Sequence, residues 1–166
     1  MKKLFLLIIF VPLIGLAQEW TVLRPDGFVP VTIPKPNKPI EDIVESSKFW
    51  ADSFNRNERE AFDVYDVTEN GLKIDGFREN AFFNRDRGRI FNYRIRYTLT
   101  VTFKDSICTI LFSVPEIYTE RTLTKIELSD FFASDGQLKT DYDEAKPSLE
   151  KTANRILRSY AAYISQ

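Results

Sequence analysis

Residues 91–104 read FNYRIRYTLTVTFK, with Phe91, Tyr93, Ile95, Tyr97, Leu99, Val101 and Phe103 alternating with Asn92, Arg94, Arg96, Thr98, Thr100, Thr102 and Lys104. Period-2 alternation is the mark of a strand with one buried face. Burying most of that face contributes on the order of 10 to 20 kcal/mol gross, at about 1.5 to 3 kcal/mol per side chain. This stretch therefore sets which side of the sheet is the core. At about 3.4 Å per residue, Phe91 to Phe103 would reach about 44 Å, more than twice a typical strand, so a bend or bulge is expected near its start.

Working outward, Asp105-Ser106 closes a hairpin. With those two residues as the loop, Phe103 pairs with Cys108, Val101 with Ile110, Leu99 with Phe112 and Tyr97 with Val114, all on one face. A slip of one residue would break the match. Pro115 is expected to end the returning strand or mark its edge. Upstream, Asn84 to Arg89 (NRDRGR) reads as a charged turn. Before it, Phe62 to Val67 and Leu72 to Phe77 form a first hairpin around Asn70-Gly71, a strong hairpin signal. Gly76 inside a strand suggests a bulge or a close backbone approach.

Two amphipathic helices flank these hairpins. Asn37-Lys38-Pro39, followed by Glu41 and Asp42, opens a helix running to about Asn55, with Ile40, Ile43, Val44, Trp50, Ala51 and Phe54 on one stripe. Residues 55–60 read as a polar loop. Pro147 at the first helical position opens the last helix, whose stripe is Leu149, Ala153, Ile156, Leu157, Tyr160 and Ile164. Between them, 117–125 has no clean period, and Leu128 to Phe132 reads as a short helix or turn.

The N-terminus reads as a secretory signal peptide over residues 1–17: Lys2-Lys3, an apolar run from Leu4 to Leu16, and small residues at Gly15 and Ala17. The run is 13 residues, short of the roughly 20 that span a bilayer. No Cys follows, so a lipoprotein anchor at this site is not supported. The mature chain is expected to start near Gln18, in the periplasm or at the cell surface. Residues 18–37 hold Pro25, Pro30, Pro34 and Pro36 and form an extended lead-in, either an edge strand or a tether. Residues 38–166 form a single domain.

Without Lys2 and Lys3, 21 basic residues stand against 24 acidic ones. A net charge of −3 supplies no field for nucleic acid. The single Cys, Cys108, cannot form an intrachain disulfide. With no His in the chain, His-based metal sites and every Ser-His or Cys-His nucleophile are excluded.

The order helix, two hairpins, helix solves as an α+β two-layer sandwich: a four-stranded antiparallel sheet with both helices on the Tyr97/Leu99/Val101 face. Trp50-Ala51, Gly71-Leu72-Lys73-Ile74-Asp75-Gly76 and Arg96-Tyr97-Thr98-Leu99-Thr100-Val101 with Lys104-Asp105 carry a resemblance. Over about residues 38–164 the chain resembles a family of exported bacterial domains of unknown function with a TATA-binding-protein-like fold. The resemblance implies a fold and a compartment. No activity, cofactor or catalytic residue comes with it.

Candidate chemistry is thin. Arg85, Arg87, Arg89, Arg94 and Arg96, with only Asp86 against them, give a net +4 within twelve residues. They suit an anionic partner, either an envelope protein or an anionic polymer, through bidentate guanidinium contacts. The competing reading is a turn and a solvated strand face kept charged against edge pairing. On either reading, charge reversal at Arg94 and Arg96 should leave folding nearly intact. Asp135, Asp141, Asp143 and Glu144 lack the spacing of a calcium loop. Cys108, mid-strand on the core face, reads as a buried inert thiol. No catalytic, cofactor or metal site is assigned. The leading expectation is a non-catalytic binding or scaffolding module of the envelope. A carrier of a small apolar ligand between sheet and helices follows, then an enzyme without a recognisable motif.

Overall fold

The computed structural model describes residues 20–56, 62–119 and 122–166. The expected signal peptide and mature start, and most of the polar loop after the first helix, lie outside the described residues. The elements in order are β1 (Leu23–Arg24), β2 (Gly27–Phe28), β3 (Val31–Pro34), α1 (Ile40–Asn55), β4 (Asp63–Thr68), β5 (Gly71–Asp86), β6 (Arg89–Lys104), β7 (Ile107–Thr119), β8 (Thr122–Leu123) and α2 (Ala145–Ile164), with short 3-10 turns at Leu128–Phe131 and Thr140–Tyr142.

The main antiparallel sheet has six strands rather than the expected four, in the order β3-β7-β6-β5-β4, with β8 also beside β7. The extra strands come from segments without a strand signature. Val31–Pro34 pairs with Ile107–Ile110, an edge position where a proline at the strand's end is tolerated. This resolves the lead-in as an edge strand rather than a tether, and Leu23, Phe28 and Val31 are buried.

The two expected hairpins are one continuous meander, because β5 runs on through Asp86 to pair with β6 as far as Asp86 opposite Arg89. Asn80, at φ 49, sits in an irregularity between Arg78 and Phe82. That extra length breaks the alternation that would have revealed the strand. The charged turn shrinks to Arg87-Gly88, at φ 47 and 79, the paired positive φ of a tight two-residue hairpin.

Phe103–Cys108, Val101–Ile110 and Leu99–Phe112 pair as the register requires, but Tyr97 does not pair with Val114. Thr98 faces Ser113 and Arg96 faces Glu116, leaving Val114 and Pro115 together opposite Tyr97. Such a bulge accommodates a proline inside a sheet, so Pro115 bends β7 without ending it. Gly71 acts by close approach: a Cβ there would run into the Val101 carbonyl oxygen.

Both helices cover the Tyr97 face. The Tyr97 hydroxyl donates to Asn55 Oδ1 of α1 at 3.1 Å, and Trp50 of α1 meets Tyr160 of α2 edge-on at 5.0 Å. Pro39 caps α1 from outside the helix, and Pro147 is the third residue of α2 rather than its first, still within the turn that needs no N–H partner. Beyond Asp75 the outer edge of β5 has no strand partner from β4. There α2 takes over: Thr152 Oγ1 donates to the Ala81 carbonyl at 2.6 Å, and Phe83 N–H donates to Ser148 Oγ at 3.2 Å. On its other side α2 holds the N-terminal segment. Asn154 Oδ1 accepts from the N–H groups of Trp20 and Thr21 at 2.7 and 2.9 Å, and Glu150 Oε1 accepts from Leu23 N–H at 2.8 Å.

Candidate functional site

Alternation along β6 sends Arg94, Arg96 and Thr98 to the sheet face without helices, and there the structure ties the first two into a network. Asp75, on β5, accepts from Arg96 Nη2 at 2.6 Å, Thr98 Oγ1 at 2.7 Å and Tyr65 Oη at 3.0 Å. Arg96 Nη1 also donates to Glu116 Oε1 at 3.1 Å, and Tyr118 donates to the other Glu116 oxygen. The hydrogen bond to Asp75 holds the Arg96 guanidinium above its ordinary pKa. The bond to Glu116 raises the Tyr118 phenol, and desolvation with Asp75 beside it raises that of Tyr65.

Arg94 is buried, its side chain 9% exposed, which corrects its assignment to a solvated face. Its guanidinium lies 4.7 Å from the ring centres of both Phe77 and Tyr118, and Nη1 is 3.5 Å from Glu79. Stacking between two rings is what a planar, weakly hydrated cation tolerates in place of water. Three carboxylates thus meet two guanidiniums, and the middle of this face is not a positive patch.

The five arginines therefore fall into two groups. Arg85, Arg87 and Arg89 stand at the far end of the β5–β6 hairpin, where every residue from 85 to 92 is exposed. Arg85 Nε lies 3.4 Å from Glu144, both half-exposed. Ile90 and Phe91 beside them are 56% and 41% exposed. The base of the hairpin is packed: Phe82 stacks on Tyr93 at 4.6 Å just below the tip, and Phe131 meets Phe82 from the helix side at 5.8 Å.

Between the helices and the sheet there is little room. Trp50, Tyr97, Leu99, Phe112, Ile156 and Tyr160 fill the layer, each no more than 2% exposed. A groove of about 970 Å³ opens instead at the flank, between α1 and β4, floored by Ile40, Val44, Phe49, Phe62 and Val67. Its rim carries Glu41, Glu45, Asp52 and Glu69 against Lys48.

Cys108 is buried, and desolvation pushes its thiol up to about 11, as befits an inert core thiol. Asp135 accepts from Gln137 N–H within its own loop, and Glu144 is committed to Arg85. Sequence reasoning found the arginines but not their partners. Asp75, Glu79 and Glu116 become readable only once the two bulges are counted into the register.

A two-layer α+β domain with one open sheet face, a projecting hairpin and a flank groove is the class these observations define. No protein-family model matches the chain, and no curated protein does. Among solved structures, a DUF4468 family protein from Bacteroides ovatus is similar at TM-score 0.57 and 11% identity, over 83% of this chain and 85% of that one. A TBP-like protein from Parabacteroides distasonis aligns at TM-score 0.49 and 15% identity, over 82% and 88%. The first likeness shows a fold shared with a bacterial domain of unknown function.

Proposed function

We propose that this protein is an exported, non-catalytic binding or scaffolding module of the bacterial envelope, which contacts its partner through the β5–β6 hairpin tip. The observation that carries this reading is the exposed run at 85–92, where Arg85, Arg87 and Arg89 flank the uncovered side chains of Ile90 and Phe91. Arginine beside exposed apolar surface is the composition of interface centres. The partner is an envelope protein or polymer with an anionic surface. The negative net charge of the expected mature chain argues against nucleic acid. No helix among the described residues is long and apolar enough to cross a membrane.

The test is recovery of partners from envelope extract by the parent and by an Arg87→Glu/Arg89→Glu variant. Both residues are exposed, so the variant should melt with the parent and lose the partner. A folded variant that recovers the same partners would refute the tip as contact. Mass spectrometry of the cell-derived protein should place its N-terminus at or near Gln18. A full-length species held in the inner membrane would refute export.

A further inference from the structure

The α1–β4 groove and the hairpin tip complement each other. Among the described residues the groove lining holds Glu41, Glu45, Asp52 and Glu69 against Lys48, with Asp52 itself 4.0 Å from Arg56, and Phe49 and Val67 within it are 58% and 48% exposed. The tip carries Arg87 and Arg89 beside Asp86, with Arg85 already paired to Glu144, next to the exposed Ile90 and Phe91. Each surface offers what the other lacks: an apolar floor inside a negative rim, and a positive tip that shows one apolar side chain on each face of the hairpin, Ile90 on one and Phe91 on the other. The two cannot meet within one chain. Thr68 and Glu69 of the groove lie just before the start of β5, while the tip lies past its end. Sixteen residues of strand separate them by roughly 50 Å.

We infer that the groove is the docking site for the hairpin tip of a second copy of this chain. The inference extends the scaffolding reading and rests on it in taking the tip as a contact element. Different patches meet on the two copies, so the contact is heterologous. It either closes reciprocally, each tip in the other's groove, or repeats head to tail. A contact confined to one tip and one groove lies at the small end of specific interfaces, so association is weak, driven by charge and sensitive to salt. A neutral apolar ligand would fit the floor of the groove but leave its carboxylate rim unanswered. A positively charged tip answers both.

The experiment is sedimentation velocity on the purified protein from about 10 μM to about 0.5 mM, at about 20 mM and about 0.5 M salt. The mass should rise with concentration, with an association constant at least about tenfold greater at low salt. Two variants follow, a reversed tip (Arg87→Glu/Arg89→Glu) and a reversed rim (Glu45→Lys/Glu69→Lys), all four positions being exposed. Each alone should stay monomeric, and mixing them should restore association, since the acidic tip of one then suits the basic rim of the other. A parent that is monomeric throughout, a reversed rim that associates like the parent, or a mixture of folded variants that stays monomeric would each overturn the inference. The reversed rim keeps its tip, so it should still recover the envelope partner. Loss of self-association with partner recovery intact separates this inference from the module reading.

Discussion

Reversing both arginines of the open sheet face, Arg94→Glu with Arg96→Glu, should unfold much of the protein, against the near-neutral effect that a solvated face implies. Arg96 makes two carboxylate contacts, at 2.6 Å to Asp75 and 3.1 Å to Glu116. A pair of unit charges at 4 Å is worth about 4 kcal/mol at an effective dielectric of about 20. The Arg96 side chain is 39% exposed, and screening reduces each contact to about 1 kcal/mol. Turning two attractions into two repulsions then costs about 2 to 4 kcal/mol. Arg94 is worse placed: its replacement sets a carboxylate against the faces of Phe77 and Tyr118 and beside Glu79. A buried charge stripped of its partners costs about 3 to 5 kcal/mol. The pair together reaches about 5 to 9 kcal/mol, comparable to the 5 to 15 kcal/mol stability of a typical domain. Arg94→Lys keeps the charge but loses the planar stack, and should cost about 1 to 2 kcal/mol. The assay is equilibrium unfolding followed by tryptophan fluorescence, in urea because guanidinium would screen the ion pairs. A double variant within about 0.5 kcal/mol of the parent would refute the argument.

On the core side of the same strand, Leu99→Ala should cost about 2 to 5 kcal/mol and Thr100→Ala under about 1. Equal losses in urea melts would mean the faces are misassigned. Gly76→Ala would put a Cβ 2.7 Å from the Tyr97 hydroxyl oxygen, 2.8 Å from the ring carbon Cζ that bears it and 3.1 Å from Asn55 Oδ1, so removing the hydroxyl relieves only part of the clash. It should cost about 2 to 4 kcal/mol through overpacking and a lost hydrogen bond, and Tyr97→Phe should partly rescue it; additive losses in a double-mutant cycle would count against this. Cys108 keeps its proton to about 11 when folded, against 9.0 for an ordinary thiol. Its contribution is therefore full below the ordinary thiol pKa and lost as pH rises from there toward the folded value. Urea midpoints of the parent should fall over that window more than those of Cys108→Ala, and a thiol reagent should label the native protein only at its unfolding rate. Rapid labelling at neutral pH would contradict the buried assignment.

The central register was legible because the alternation from Phe91 to Phe103 and the two-residue loop at Asp105-Ser106 constrain each other, and only one pairing puts all the apolar residues inside. It stopped being legible where the ladder departs from strict alternation, at Val114-Pro115 opposite Tyr97 and between Arg78 and Phe82. Past those points, residue parity no longer reports the face. The helices were readable from their stripes, although Ile40 and Val44, half-buried at the margin of the core, also line the groove, because a stripe says only that some apolar surface is met. An edge strand within the 18–37 lead-in was one of two readings, since proline density excludes central strands but permits edges. At the candidate site, the arginines were visible as a run of charge, and their division into a buried pair and an exposed tip was not. That division depends on Phe77 and Tyr118 arriving from two neighbouring strands around Arg94. The groove had no sequence signal at all, because it exists only where α1 lies against β4.

The most direct test of the tip as the contact element is site-specific photo-crosslinking in cells, with a photo-reactive residue replacing either Ile90 on the tip or Thr100 on the open sheet face. Replacing Ile90 leaves all three tip arginines in place. The account predicts adducts with an envelope component from position 90 and none from position 100. Adducts from position 100 with none from position 90 would contradict it, and would assign the contact to the sheet face instead.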